Sequence, residues 1–263
     1  MAIKESYVQG TPNWVDLNTS DVGHAQTFYA ELLGWEFHVN PTPDGGEYIM
    51  AMFEGHTAAG MMQQRPEQAD MGMPSFWNTY IAVDDVEAST AKAEAAGATV
   101  MMPPMQVMES GTMSVVSDPT GAPFGMWQAN QHIGSQVVNQ PGALMWNELV
   151  TADTEKAQQF YHGVFGVGHA EETMADGSIY KMLTVEGAPV AGILPPPVEG
   201  VPNHWSVYFG VEDADAAAAL AEELGGTVVA APFAVPGIGK MAGITDPQGA
   251  FFMVMQPEAQ PEA

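Results

Sequence analysis

The chain has 263 residues, an apolar share of 46% and no cysteine, which leaves room for one large or two ordinary cores and excludes disulfides and thiolate chemistry. Against 32 acidic residues stand only 6 Lys plus Arg, a formal net charge of −26. A surface this negative repels phosphate backbones and anionic headgroups, so neither nucleic acid nor a membrane is an expected partner; the charge reads first as a device for solubility, with long-range steering of cationic ligands as the alternative.

The opening residues MAIKESYVQGTPNW carry no apolar signal core, and no run of about 18 apolar residues follows, so a cytoplasmic location is expected. A short strand, Asn13 to Thr19, runs into Ser-Asp, good helix-capping chemistry. The next helix carries Ala25, Phe28, Tyr29, Leu32 and Leu33 on one stripe, and Gly34 stands where a helix end wants a positive φ. After it come the strand EYIMAMFEG, closing on a Glu-Gly turn, and the strand NTYIAVDD, whose acidic pair begins an Ala-rich helix ended by Gly97. Two final strands meet through DPTG, with Pro and Gly placed for a type I turn.

The same order is then written again. Trp14 matches Trp146, Phe28-Tyr29 matches Phe160-Tyr161 and Gly34 matches Gly166, all at a spacing of 132 (146 − 14). From Trp77 and Trp205 onward, through SDPTGAPFGMWQ and TDPQGAFFMVMQ, the spacing is 128 (205 − 77), so four residues are missing from the second copy between the blocks. Three collinear blocks indicate a duplication. Each half reads as two βαβββ units, with residues 1–133 and 142–257 as the domains, 134–141 as the linker within the Pro/Gly/Gln stretch from Gln128, and 258–263 as a tail. One such unit offers an open half-cup; two pair to close a sheet around a ligand, and doubling the gene gives two cups free to diverge, as Asp16/Glu148, Asn78/Ser206 and His56/Ala188 have.

A strand, an Asp-capped helix with FY and LGW, then VDD, a helix ending in AG, and DPTG, in that order and twice, resemble the vicinal-oxygen-chelate superfamily of glyoxalase I, bleomycin-resistance proteins and extradiol dioxygenases. The segments GTPNWVDL and MPSFWNTYIAVDDV further resemble a two-domain actinobacterial branch, glyoxalase-like or hydroxylase-like, that includes accessory proteins of anthracycline pathways. The resemblance implies an α+β fold of tandem glyoxalase-like domains, each two βαβββ modules forming a cupped mixed sheet with a small molecule in the concavity.

Metal-dependent members of that family project four His, Glu or Gln ligands into the cup. By the resemblance the first falls on Trp14 and Trp146, the third on Asn78 and Ser206, and the fourth on Gly125 and Met253; the second lies in a variable strand and has no assigned position. Indole, glycine and thioether do not hold a hard or borderline divalent ion, so no metal and no other cofactor is expected. Strand alternation puts Asp16 on the face of Trp14, Glu148 on that of Trp146, His204 and Ser206 on that of Tyr208, and Phe76 and Asn78 on that of Tyr80.

Two readings of the acidic pair stay open. An Asp16–His204 or Glu148–His204 pairing would make an acid–base or metal pair, so Asp16, Glu148 and His204 are the catalytic candidates. Alternatively, Asp16 and Glu148 accept hydrogen bonds from buried Tyr or Trp groups. Trp14, Trp146, Asn78, Tyr80, Ser206, Tyr208 and His56, which follows a Glu-Gly turn near a cup rim, are the ligand-binding candidates. Trp77 and Trp205 have the opposite parity and should face the helices, and His132 falls in the joining segment. Aromatic faces and 19 methionines suit a planar, partly polar ligand. The expected function is therefore a metal-free, accessory or sequestering protein for an aromatic, polyketide-like metabolite, as monomer or homodimer. The alternative is a lyase or oxidoreductase of the glyoxalase, dioxygenase or hydroxylase type with a relocated metal or an acid–base site.

Overall fold

The computed structural model describes residues 3–43, 45–174 and 177–258; all but the first residue of the expected tail lie outside them. In the first half β1 (Pro12–Thr19), α1 (Val22–Leu33), β2 (Glu36–Pro41), β3 (Glu47–Phe53) and β4 (His56–Gln63) form one module. After a short helix, α2 (Pro66–Asp70), the module repeats as β5 (Phe76–Ala82), α3 (Val86–Ala95), β6 (Thr99–Val107), β7 (Gly111–Ser117) and β8 (Pro123–Ala129). The second half runs β9 (Leu144–Val150), α4 (Thr154–Phe165), β10 (Gly168–Thr173), β11 (Ile179–Val185), β12 (Ala188–Leu194), then β13 (His204–Gly210), α5 (Ala214–Glu223), β14 (Thr227–Val235), β15 (Gly239–Thr245) and β16 (Phe251–Pro257).

Each half makes one eight-stranded sheet, ordered β2-β3-β4-β1-β5-β8-β7-β6 and β10-β11-β12-β9-β13-β16-β15-β14. The two modules of a half meet at an antiparallel seam, β1 on β5 and β9 on β13, while β1–β4 and β5–β8 pair in parallel. The helices begin and end as the sequence dictates. Asp21, Asp85, Asp153 and Asp213 each accept a backbone N–H of the first turn, and Gly34 and Gly166 close α1 and α4 at φ 73° and 75°. The four-residue difference between the halves falls between β4 and β5, where the first half carries α2.

The halves interlock through the faces opposite the cups. One core joins α1 and residues of β1 and β3 to β5 with α5, β13, β15 and β16; the other joins β5, α3, β7 and β8 to β9, α4, β11 and β12. The repeated motifs hold each other across this boundary. Tyr29 donates to Asp246 at 3.1 Å and receives the Trp77 indole N–H at 3.0 Å; Tyr161 donates to Asp118 at 3.0 Å and receives Trp205 at 3.0 Å. The FY of one half therefore reads the DPxG of the other, and Trp77 and Trp205 do lie on the helix side. Among the described residues no helix is long and apolar enough to cross a membrane.

Candidate ligand-binding cups

In the first cup the seam sets Trp14 opposite Tyr80 and Asp16 opposite Asn78, while β4 sets Gly60 opposite Asp16. The Asp16 carboxylate is 2% exposed and accepts from Asn78 Nδ2 at 2.8 Å on one oxygen, and from the Tyr80 and Tyr48 hydroxyls at 3.0 and 3.2 Å on the other. Tyr48 in turn receives the Trp14 indole N–H at 2.8 Å. Burial pushes the Asp16 carboxyl above its usual range and the three donors pull it back; burial and the adjacent carboxylate push both tyrosines well up. A buried ion served by three donors avoids the several kcal/mol that an unpaired one would cost.

The second cup repeats the chain. Trp146 donates to the Tyr180 hydroxyl at 2.9 Å, and Tyr180 and Tyr208 donate to the two oxygens of Glu148. Glu148 is 8% exposed, its carboxyl is raised by burial, and both tyrosines are raised well above their usual range by burial and by its charge. In both cups a glycine makes room: a methyl added at Gly60 would overlap the Tyr48 hydroxyl, and one at Gly192 the Tyr180 hydroxyl. Ser206 stands opposite Glu148, and its hydroxyl bonds His204 Nε2 at 2.9 Å. His204 Nδ1 lies 2.8 Å from the Pro202 carbonyl, which can only accept, so Nδ1 carries a proton and a neutral ring takes the Ser206 proton on Nε2.

Trp14, Asp16, Asn78 and Tyr80 are thus gathered in one cup, and Trp146, Glu148, His204, Ser206 and Tyr208 in the other. An Asp16–His204 pair does not form: the two residues lie on different sheets, Asp16 is bonded to Asn78, Tyr80 and Tyr48, and His204 to Pro202 and Ser206. Glu148 and His204 share a sheet face, two residues out of register, but each spends its bonds elsewhere. His56 sits at the β3–β4 turn, paired with Phe53 and outside the Asp16 network.

The sequence reading missed Tyr48 and Tyr180, the central donors. Their spacing of 132 (180 − 48), like that of Gly60 and Gly192, was the available signal. By sequence His132 falls in the joining segment. Instead the imidazole stands edge-to-face with Trp14, centroids 4.4 Å apart, and beside Trp127 at 5.7 Å, while the Trp127 indole donates to the His132 carbonyl. Burial lowers its pKa to about 4, which keeps the ring neutral, and its Nε2 has no hydrogen-bond partner.

The donor set does not fit the family's metal. The positions that should ligate carry Trp14, Asn78 and Gly125, and Trp146, Ser206 and Met253, and the one carboxylate of each network is engaged by side-chain donors. Among the described residues no group of three or more His, Asp or Glu could hold a metal ion.

The fold and its duplicated modules place the chain in a known group: residues 11–126 and 140–254 each match the Glyoxalase/Bleomycin resistance protein/Dioxygenase superfamily, and the chain belongs to it. A Mycobacterium tuberculosis protein named "Putative glyoxylase CFP32" is 48% identical over 99% of this chain and 100% of its own length. The anthracycline biosynthesis protein DauV of Streptomyces sp. strain C5 is 36% identical over 98% of this chain and 97% of its own. Among solved structures, the 2,3-dioxygenase LapB of Pseudomonas sp. KL28 superposes with a TM-score of 0.65 at 16% identity, covering 97% of this chain and 96% of its own. A Mn(II)-bound glyoxalase from Novosphingobium aromaticivorans superposes at 0.63 and 16%, covering 95% and 83%. At that identity the likeness to the solved structures is one of fold alone.

Proposed function

We propose that the protein is a metal-free binder of an aromatic, polyketide-like metabolite, serving an accessory or sequestering role. The observation that carries this reading is the repeated indole–tyrosine–carboxylate–tyrosine chain, which occupies the floor of each cup with side chains that are poor metal ligands and good flat walls. The 36% identity to a protein named for anthracycline biosynthesis supports the ligand class. The test is fluorescence titration with a neutral tricyclic probe, anthracenylmethanol. Quenching of tryptophan emission, weakened about tenfold or more by Trp146→Ala, supports the reading; unchanged emission at saturating probe overturns it.

A second reading rests on a different observation. The Ser206–His204 bond beside Glu148 puts a hydroxyl, an imidazole and a raised-pKa carboxyl on one sheet face, the ingredients of acid–base chemistry in a lyase or oxidoreductase. The 48% identity to a protein named as a glyoxylase favours this direction. Glu148→Gln that removes turnover of a dicarbonyl–thiol adduct in a folded protein would make it the leading account; turnover unaffected by that change would remove it.

A further inference from the structure

We infer that the second cup is built for an aromatic molecule that carries a protonated amine, with Glu148 as its counter-charge. This rests on the binding reading above and sharpens it. Both oxygens of Glu148 are met by hydroxyl dipoles, and the groups that stabilise its charge are Tyr180 and Tyr208, with no cation among them. Lys181, next to Tyr180 on β11, has the other parity and pairs with Glu155 on α4. His204 turns its two ring nitrogens to the Pro202 carbonyl and the Ser206 hydroxyl rather than to Glu148. A carboxylate held in low dielectric by dipoles alone attracts a cation more strongly than a solvated one does.

The surrounding groups select the same partner. Tyr180 and Tyr208 each have one proton and spend it on Glu148, so their oxygens can only accept; Tyr180 already accepts from Trp146, and among the described residues no donor is directed at Tyr208. The open acceptor calls for an N–H from the ligand. Trp146 is half-buried rather than sealed, so its ring is available for stacking and for a cation–π contact, and Met182, Met241 and Met255 are half-buried on strands of the same sheet. The first cup lacks this opening. There Trp14 is 3% exposed and packs with Tyr80 and Trp127 into an apolar cluster against which His132 is wedged. Its carboxylate also receives a third donor, Asn78, where the second cup has Ser206 turned toward His204.

The experiment is calorimetric titration of the whole protein with three probes of one shape: anthracenylmethylammonium, anthracenylmethanol and anthracene carboxylate. The expected order is ammonium tightest, alcohol about tenfold weaker, and carboxylate unbound. Glu148→Gln should erase the preference for ammonium over alcohol, with circular dichroism of the variant showing that the sheets are still folded. Glu155→Gln, which removes an equal charge on the far side of the sheet, should leave all three unchanged. An alcohol as tight as the ammonium, or an ammonium preference that survives Glu148→Gln, overturns the proposal while the binding reading stands; failure of all three probes to bind overturns both.

Discussion

The two cups differ in floor and lid although they descend from one sequence. Both hang a carboxylate from β1 or β9 beneath two tyrosines and a tryptophan, and both need a glycine on the neighbouring strand to admit the first tyrosine. The first cup adds Asn78 as a further donor, shortens the acid to Asp16 and draws His132 between Trp14 and Trp127. The second lengthens the acid to Glu148, replaces Trp127 with Met255 and leaves Trp146 half-open. Duplication has preserved the network, a unit of several mutually dependent bonds, and changed what surrounds it. A network that is left half-satisfied costs more than none, so its members change together or not at all.

The comparison can be broken most severely at the glycines. Gly60→Ala and Gly192→Ala each drive a methyl into a tyrosine hydroxyl, and overpacking with loss of the bond should lower unfolding free energy by about 3 kcal/mol in either cup, read by chemical denaturation. A loss confined to Gly60→Ala would mean that the second network is looser than its geometry indicates. Tyr80→Phe and Tyr208→Phe remove one donor from each carboxylate and should cost about 2 kcal/mol each. The first should be the milder, because Tyr48 and Asn78 still serve Asp16 whereas Glu148 keeps Tyr180 alone.

His132 offers a pH-dependent contrast. In the unfolded chain the imidazole protonates near its ordinary value of 6.5, while burial holds it back to about 4 in the folded protein. Between those values the unfolded state binds more protons, so His132 costs stability as pH falls from 6.5 toward 4, with a slope approaching about 1.4 kcal/mol per pH unit. His132→Phe should flatten the measured stability over that window, and an unchanged slope would show that the ring is not buried. The smallest effect is optical: His132→Ala should raise acrylamide quenching of Trp14 toward that of Trp146, measured in proteins that keep one cup tryptophan at a time.

The repeat, the eight strands of each half and the side of the sheet on which Trp77 and Trp205 lie were all legible in the sequence, because strand parity and cap residues are local signals. Strand parity also put Trp14 on one face with Asp16, and Asn78 on one face with Tyr80, while their pairing across the seam is visible only in the structure. Tyr48 and Tyr180 were harder to find: they reach the carboxylates across an intervening strand, and only Gly60 and Gly192 on that strand, diagonal to them, tell that a side chain passes there. His132 was illegible for another reason. It lies in a segment with no period of its own, and its place between two tryptophans is set by the packing of the chain leaving β8, with Ser135 bonded to Ala58 and Asn13 holding the Ile133 carbonyl. The Asp16–His204 pairing failed because parity gives a face and says nothing about which sheet.

The most direct test of the central claim, that a tyrosine-bound carboxylate replaces the family's metal in both cups, is elemental analysis of the untagged protein, purified without chelator and dialysed after exposure to Mn(II), Fe(II), Ni(II) and Zn(II). The account predicts negligible metal per chain, unaltered by Asp16→Asn or Glu148→Gln. About one or two equivalents, lost on either substitution, would contradict it and make the carboxylates metal ligands of an enzyme.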